Sequence, residues 1–220
     1  RDVRKISPRA DHILQDWVRK GWVDIIPETD PAVATPALPE LTSEQSTAVG
    51  VIAAKLDRFD TWVLHGVTGS GKTEVYLRLI AQTLSKGKQA LVLIPEISLT
   101  PQLESVFRER FIMTRIVSLH SGLNDSERLS GWLQAQQGEA GVVLGTRLAV
   151  FTPLPKLGLI IVDEEQDSSF KQQDGLRYSA RDLAIFRASQ AHIPVVLGSA
   201  TPSLESYYNV LNEYENDKIS

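Results

Sequence analysis

The chain has 220 residues and a formal net charge of −4, and 42% of its residues are hydrophobic. This length and apolar content are enough for a sizeable core, in one large domain or in a domain with an appendage. The composition excludes disulfides and thiolate metal sites, since the chain has no cysteine, and no apolar run approaches the length of a membrane span. Because no signal peptide opens the chain, we expect a soluble, cytoplasmic protein without a membrane partner.

The first 40 residues divide at a proline-rich stretch. Residues 1–26 predict a helix that begins near Pro8, followed by Gly21 and a strand. Residues 27–40, "PETDPAVATPALPE", contain four prolines, which fix φ and remove hydrogen-bond donors. We interpret them as an extended linker to a main domain at residues 41–210, with an acidic tail at residues 211–220.

Strands and helices alternate through the main domain. Thr42 or Ser43 can cap a helix that runs to about Leu56. Strands are predicted at "TWVLHG", "ALVLIP", "RIVSLH", "GVVLGT", "LGLIIVDE" and "PVVLGSA", and helices at "KTEVYLRLIAQTLSKG", "TPQLESVFRERF", "DSERLSGWLQAQ" and "SARDLAIFRASQ". Short branched apolar runs separated by helices favour an α/β fold with a mostly parallel sheet covered on both faces. In such sheets ligands bind where the strands end, so functional residues are expected there.

The first strand of the main domain ends in a glycine-rich loop. "GVTGSGKT", Gly66 to Thr73, fits the phosphate-binding pattern G-x-x-x-x-G-K-[ST] in full. Its glycines allow the backbone N–H groups to surround a phosphate, Lys72 can reach the β and γ phosphates, and Thr73 can bind Mg²⁺. The alternative is a simple glycine-rich turn. The predicted nucleotide-binding residues of the loop are Gly66, Thr68, Gly69, Ser70, Gly71, Lys72 and Thr73.

Three consecutive acids follow the apolar run "LIIV". A P-loop enzyme needs an acid at the end of a neighbouring strand to hold the metal, and Asp163 stands at that position. Glu164 follows it and can act as the base that orients the attacking water. The alternative for these acids is a solvated acidic loop, and Glu165 is equally open to a structural role. Lys72, Asp163 and Glu164 are therefore the predicted catalytic residues.

Six stretches resemble the motifs of superfamily 2 helicases. They are "GVTGSGKT", "PEISLTPQ", "HSGLNDSER", "GTR", "DEEQ" and "GSATPSLES", in the order of motifs I, Ia, Ib, II and III. "PEISLTPQ", "LHSGLNDSERL" and "SSFKQQDGLRYSARDLA" resemble more closely the primosomal protein N′ (PriA) family of replication-restart helicases. The resemblance covers about Leu41 to Tyr207. It implies a RecA-like P-loop lobe, and residues 1–26 are similar to the end of a winged-helix-like DNA-binding region.

The resemblance implies further roles in nucleotide binding and coupling. Gln45, in "LTSEQ", would bond the edge of adenine with both amide groups, although such a residue is usually solvated. Ser199 and Thr201 would link the nucleotide site to the DNA site. Gln166 would join the catalytic set by reporting the γ-phosphate state, but the family usually has His there. Since an imidazole can titrate and an amide cannot, we expect ATP binding to survive this change and the coupling to DNA to differ.

Contacts with single-stranded DNA are implied for three segments. The implied contact residues are Ser98, Thr100, Gln102, Arg147, Phe170, Arg177 and Tyr178. Arg147 is the best candidate for a phosphate contact, and the last three belong to an aromatic-rich loop, residues 167–182, whose rings can stack on bases. The alternatives are a helix cap for Thr100 and ordinary packing for Phe170 and Tyr178. Leu176 stands where the family often has a further aromatic residue.

The implied function is that of the ATP-binding motor lobe of a 3′→5′ DNA helicase at stalled replication forks, in replication restart and primosome assembly. ATP and Mg²⁺ are the implied cofactors, with zinc only in the missing part of the full-length protein. The implied partners are single-stranded and forked DNA, single-strand-binding protein and primosome proteins, at the bacterial nucleoid. Because the family's second lobe and its arginine finger are missing, we expect almost no hydrolysis by this chain alone. The alternatives are lobe 1 of a RecG-like or restriction-type translocase and a non-catalytic DNA- or partner-binding module.

Overall fold

A computed structural model describes residues 38–209 of the chain. The chain divides into two compact units, Arg1–Pro39 and Glu40–Ser220, and nearly all of the described residues belong to the second. The winged-helix-like segment at residues 1–26, most of the linker and the acidic tail at residues 211–220 lie outside the described residues. The domain boundaries that the sequence predicts therefore stay predictions.

The described residues alternate between strands and helices, as the sequence predicts. The helices are α1 (Ser43–Ala53), α2 (Lys72–Ser85), α3 (Pro101–Arg110), α4 (Asp125–Gln136) and α5 (Ala180–Ala191). The strands are β1 (Asp60–His65), β2 (Gln89–Leu93), β3 (Ile116–Leu119), β4 (Val142–Gly145), β5 (Leu157–Val162), β6 (Lys171–Gln172), β7 (Tyr178–Ser179) and β8 (Pro194–Ser199). Residues 204–209 are also helical. In the described part of the chain, no helix is long and apolar enough to cross a membrane.

Six strands form one parallel sheet in the order β1-β8-β5-β2-β4-β3. Every residue of β2, β4 and β8 is buried, because helices cover both faces of the sheet. Along β5, Leu159 and Ile161 join one apolar cluster, and Ile160 and Val162 join the other. This alternation follows from the two-residue period of a strand. The predicted α/β fold is confirmed, and all six strands end at the same edge of the sheet.

Side-chain caps set the start of several helices. Thr42 accepts a hydrogen bond from the backbone N–H of Gln45, and Gln45 Oε1 accepts one from the N–H of Thr42, which makes a capping box at α1. Thr100 accepts from the N–H of Leu103 at the start of α3, whose first residue is Pro101. The caps predicted at Thr42 and Thr100 are thus both confirmed.

Two segments form more structure than the sequence predicts. The predicted aromatic-rich loop contains a 3₁₀ turn, Ser168–Phe170, and an antiparallel pair of short strands, β6 and β7. Between these strands Gly175 adopts φ +69°, a conformation that glycine takes at little cost. Arg147–Phe151, after β4, forms a second 3₁₀ turn. Both segments are too short for hydrophobic periodicity to indicate them.

Candidate nucleotide site and nucleic-acid interface

The ends of β1, β8 and β5 bring the predicted motifs together. The N–H of Gly66, after β1, donates to the carbonyl of Ser199 at the end of β8 over 3.0 Å. The N–H of Glu165, after β5, donates to the carbonyl of Gly198 over 3.0 Å. The glycine-rich loop, the acids and the "GSAT" segment therefore share one edge of the sheet, which is where an open α/β sheet binds its ligands.

The glycine-rich loop has the backbone geometry of a phosphate cradle. Gly69 and Gly71 have φ +81° and +82°, which a side chain would strain, and α2 begins at Lys72 directly after the loop. The free N–H groups of this helix start favour an anion. Lys72 Nζ donates to the carbonyl of Gly66 over 2.8 Å and lies 3.6 Å from Glu164 Oε1. The ammonium group therefore lies between the loop and the acids, where it can meet a β or γ phosphate.

Asp163 is held at the end of β5 by two contacts. Its N–H donates to the carbonyl of Leu93, and its Oδ1 accepts a hydrogen bond from the Tyr76 hydroxyl over 2.9 Å. Burial raises the pKa of Asp163, and the neighbouring Glu164 charge adds to this, although the Tyr76 bond and Lys72 oppose it. A buried carboxylate with a raised pKa gains from a bound cation, because the cation offsets the cost of its charge.

Tyr76 and Gly198 are site residues that the sequence analysis missed. Tyr76 lies on the buried face of α2, and a Cβ at Gly198 would overlap its hydroxyl group, so the glycine makes room for the bond to Asp163. Burial, and after it the charge of Asp163, raises the pKa of Tyr76 well above its ordinary value. The hydroxyl group therefore keeps its proton and remains a hydrogen-bond donor. The sequence did offer a signal for Tyr76, because a tyrosine on a mostly apolar helix face needs a hydrogen-bond partner for its hydroxyl group.

Gln166 bridges the acids and the "GSAT" segment. Its Nε2 donates to Glu164 Oε2 over 2.9 Å, and its Oε1 accepts from the Ser199 hydroxyl over 2.6 Å. Ser199 Oγ in turn accepts from the N–H of Thr201 over 2.9 Å. Glu164 adopts φ +47°, an unusual conformation for a residue with a side chain. The four residues thus form one hydrogen-bonded chain that begins beside Lys72.

Glu165 has a structural role, which settles the alternative that the sequence left open. Its side chain is fully buried and lies 3.1 Å from Arg181 Nη1. It also accepts hydrogen bonds from the N–H of Ser203 and the hydroxyl of Ser206. Burial alone would lower the pKa of Arg181, but bonds to Glu205, Asp182 and Glu165 raise it. This cluster ties the acidic segment to α5 and to the residues after β8.

Gln45 lies beside the glycine-rich loop, and both polar atoms of its amide group make hydrogen bonds. Nε2 donates to the carbonyl of Ser70 over 2.9 Å, and Oε1 serves the capping box with Thr42. Gly71 passes so close that a Cβ there would overlap Gln45 Nε2. In this arrangement Gln45 positions the phosphate loop. An amide has two N–H donors and two acceptor lone pairs, so these bonds do not conflict with a bidentate bond to adenine. Gln45 is half-buried rather than fully solvated.

The implied DNA-contact residues after β2 lie at the start of α3. Thr100 Oγ1 caps this helix, so the structural alternative for Thr100 is correct, while its position does not conflict with a second role. Ser98 is half-buried and Gln102 is exposed. Among the described residues, no hydrogen bond joins Ser98, Thr100 or Gln102 to the acids or to the phosphate loop.

The other implied DNA-contact residues divide between surface and core. Arg177 is exposed and Arg147 is half-buried, with its Nη1 donating to the carbonyls of Ser169 and Lys171. Phe170 is 1% exposed and belongs to the core, so the prediction that it stacks on bases needs correction in favour of packing. The reason is the 3₁₀ turn, which directs the ring inward. Tyr178 packs edge-on against Phe151, with ring centroids 5.1 Å apart.

The residues present fit a magnesium nucleotide. Among residues 38–209 no group of three His, Cys, Asp or Glu side chains could hold a metal. Mg²⁺ does not need such a group, because it keeps waters and takes one or two protein oxygens together with substrate phosphates. Asp163 and the Thr73 hydroxyl would hold it, and the ion would offset the charge on the phosphates. Lys72 and the loop N–H groups would bind and orient the phosphates.

Comparison with known proteins agrees with this geometry. The family described as DEAD/DEAH box helicase matches residues 42–210, which is more than half of the chain. The chain belongs to this family. In this DEAD/DEAH box helicase domain the acids of motif II read DEEQ rather than DEAD or DEAH. The third and fourth letters are the buried Glu165 and the bridging Gln166.

The resemblance to PriA is also confirmed. The chain is 45% identical to replication restart protein PriA of Synechocystis sp., over 98% of this chain and 26% of that protein. It is 56% identical to PriA of Haemophilus influenzae, over 70% of this chain and 21% of that protein. The chain therefore spans about a quarter of the length of the curated relatives that it matches.

A solved structure supports the fold. The DEAD-box helicase Mss116, bound to ssRNA and UDP-BeF, aligns with 89% of this chain and 42% of its own, with a TM-score of 0.59. The sequence identity is 20%, so the likeness concerns the fold alone. It is consistent with the RecA-like helicase fold that the motifs predict.

Proposed function

We propose that the chain is the ATP-binding motor lobe of a PriA-like 3′→5′ DNA helicase, which acts at stalled replication forks in replication restart and primosome assembly. The observation that carries the proposal is the hydrogen-bonded chain from Glu164 through Gln166 to Ser199, with Lys72 Nζ 3.6 Å from Glu164 Oε1. Loss of the terminal phosphate of ATP would first alter the contacts of these hydrogen-bonded residues. Such a link is what a motor needs to pass the nucleotide state on to its DNA contacts.

The catalytic roles follow from this geometry. Lys72 and the N–H groups of the loop would bind the β and γ phosphates, and Glu164 would orient the attacking water as a base. Asp163, kept in place by Tyr76, would hold the Mg²⁺ with Thr73. Gln166 would sense the γ phosphate, and Ser199 and Thr201 would carry the signal towards DNA.

On the DNA side, Arg177, Gln102 and Ser98 offer accessible donors, and Arg147 offers a guanidinium that is partly held by backbone carbonyls. Phosphate contacts of this kind position a strand without reading its sequence. By the same resemblance, single-strand-binding protein and primosome proteins are proposed partners of the full-length protein at the bacterial nucleoid. Zinc would belong to the part of that protein outside this chain.

We further propose that the isolated chain binds nucleotide weakly and hydrolyses it hardly at all. An arginine finger contributes a factor of about 10³–10⁵ to the rate of phosphoryl transfer, and the second lobe would supply it. The test is a titration of the 220-residue chain with a fluorescent ATP analogue, with and without single-stranded DNA, beside a phosphate-release assay. We expect Mg²⁺-dependent binding that Lys72→Ala removes, and phosphate release close to the blank.

Two outcomes would contradict the proposal separately. Fast, DNA-stimulated phosphate release by the isolated chain would contradict its inactivity. Failure of the wild-type chain to bind the analogue better than Lys72→Ala would contradict the nucleotide site itself. The fork function is tested on the full-length protein, with forked duplexes that carry a leading or a lagging single-stranded arm. Unwinding with 5′→3′ polarity, or no preference for forks over simple duplexes, would contradict it.

A further inference from the structure

A cavity of about 360 Å³ lies at the same carboxyl edge of the sheet as the phosphate loop, but beside the outer strand that is farthest from the loop. It opens at the ends of β3 and β4, whereas the loop follows β1 at the other end of the strand order. We call it the β3–β4 cavity, and its lining includes His120, Arg128, Trp132, Arg147, Leu148 and Ser169. Its volume falls within the range of about 300–1,000 Å³ that small-molecule sites occupy.

The lining combines apolar faces with cationic groups. Trp132, from α4, is 37% exposed, and Leu148 is 66% exposed, so both leave apolar surface open to a ligand. Arg128 and Arg147 contribute two positive charges to the lining, and Glu96 contributes one negative charge. An aromatic face beside arginine side chains is the combination that binds single-stranded nucleic acid through its bases.

Arg147 brings a fixed guanidinium group to the wall of the cavity. Its Nη1 donates to the carbonyls of Ser169 and Lys171, which holds the group in place. Its Nε is buried, so a ligand would meet the accessible part of the side chain and not this atom. Since Arg147 is half-buried and lines the β3–β4 cavity, a polar ligand there can supply an acceptor to the accessible part of the guanidinium group.

We propose that the β3–β4 cavity takes one unstacked base of single-stranded DNA, with Trp132 as the stacking surface. A base has the flat apolar faces that suit Trp132 and Leu148 and the acceptor atoms at its edge that suit Arg147. The sugar and phosphate of the same nucleotide would stay at the mouth, near Arg128. This inference rests on the proposed function, because it assumes that a DNA strand passes this edge of the sheet. It adds a base-binding subsite to the phosphate contacts proposed for Arg177, Gln102 and Ser98, and it assigns Arg147 to the base instead of to a phosphate.

The test compares strands with and without bases. The 220-residue chain is titrated with fluorescein-labelled oligo-dT and with a strand of equal length whose nucleotides are abasic. Stacking contributes about 1–3 kcal/mol per base, so we expect roughly tenfold weaker binding of the abasic strand. Trp132→Ala should weaken binding of oligo-dT by a similar factor and should leave binding of the abasic strand unchanged. Trp132→Phe keeps a ring and should retain most of the affinity.

Leu129→Ala is the matched control. Leu129 lies on the same helix and is 58% exposed, but it does not line the cavity, so the substitution should change neither affinity. A strand with one 5-iododeoxyuridine gives a direct readout, because irradiation links the base to a residue that it touches. We expect the link in the tryptic peptide at residues 129–147, which contains Trp132. Circular dichroism confirms that each variant is folded.

The outcomes separate this inference from the proposed function. If oligo-dT and the abasic strand bind equally, or if the abasic penalty is the same in Trp132→Ala as in the wild type, the base subsite is wrong while DNA binding stands. If neither strand binds, the base subsite is wrong, and the proposed function is decided separately by the unwinding test on the full-length protein. Thymidine monophosphate is the remaining probe. Binding of this free nucleotide as tightly as oligo-dT, and lost in Trp132→Ala, would assign the cavity to a free nucleotide instead of DNA.

Discussion

The Gln166 amide lies between Glu164 and Ser199 and bonds to both, over 2.9 and 2.6 Å. One neutral side chain thus joins the proposed base to the segment that would signal to DNA. The amide nitrogen donates to Glu164 and the amide oxygen accepts from Ser199. An amide can exchange these two roles only if the whole group rotates by half a turn. An imidazole at this position could also become charged.

We predict that Gln166→His raises DNA-stimulated ATP hydrolysis by the full-length protein. A change of one hydrogen bond, about 0.5–1.5 kcal/mol, corresponds to roughly a two- to tenfold effect on the rate. Steady-state hydrolysis is measured with and without single-stranded DNA. Gln166→Ala is the control, since it removes both bonds and should lower the stimulation. Turnover by Gln166→His that equals the wild type in both conditions would contradict the prediction.

Gln45→Ala is predicted to weaken binding of ATP and GTP analogues alike. In the structure Gln45 supports the phosphate loop through the carbonyl of Ser70, so its loss should act on every nucleotide with phosphates. One net hydrogen bond suggests roughly a two- to tenfold loss of affinity. Fluorescence titration with both analogues measures it, and Thr47→Ala on the same helix is the control. A loss confined to the adenine analogue would instead support direct reading of adenine by Gln45.

Arg181→Ala is predicted to destabilise the chain by about 3–5 kcal/mol, because it leaves the buried Glu165 carboxylate without its cation. Guanidinium denaturation followed by circular dichroism measures the free energy of unfolding. The control is Arg115→Ala, which removes an exposed pair with Glu139 and should cost about 0–1 kcal/mol. Equal losses in the two variants would show that the Glu165–Arg181 pair lacks the stabilising role assigned to it.

Glu74 is predicted to stabilise the fold in a pH-dependent way. Burial alone would raise the pKa of Glu74, but hydrogen bonds from Arg110 and Arg78 outweigh it and hold the pKa below its ordinary value of 4.5. The contribution is therefore fully present above that ordinary value, and it is lost as the pH falls through the lowered pKa of the folded state.

Glu74→Gln should accordingly reduce the free energy of unfolding by about 1.5–3 kcal/mol at neutral pH, where charged hydrogen bonds have their full strength. The difference from the wild type should shrink as the solution is made more acidic than pH 4.5. Urea denaturation over a series of pH values measures it. Arg110→Gln removes the cationic partner of Glu74 and should abolish most of the same pH dependence. A difference that grows towards acid pH would have the wrong sign.

Much of the fold could be predicted because its signals are local. Each predicted strand and helix of the main domain appears within a few residues of its expected bounds, since hydrophobic periodicity and caps such as Thr100 depend on near neighbours. The exceptions are the 3₁₀ turns at Arg147–Phe151 and Ser168–Phe170 and the β6–β7 pair, which span too few residues for a repeating hydrophobic pattern to identify them.

The site was predictable where backbone conformation and spacing define the chemistry. Gly69 and Gly71 have the positive φ that a phosphate loop requires, and Asp163 follows a buried strand of the same sheet. Roles that depend on distant partners were not predictable. Tyr76 and Asp163 are 87 residues apart in sequence, and Glu165 meets Ser203 across 38 residues.

The sequence by itself determined the alternating α/β pattern, the glycine-rich loop and the acids that end β5, because each depends on residue type and spacing along a short stretch. Only the tertiary structure decided that Glu165 is buried against Arg181, that Gln45 supports the phosphate loop, that Phe170 lies in the core, and that Gln166 reaches Ser199. The physical reason is the sheet order. It places the end of β5 beside the end of β8, and this neighbourhood determines which side chains after the two strands come into contact.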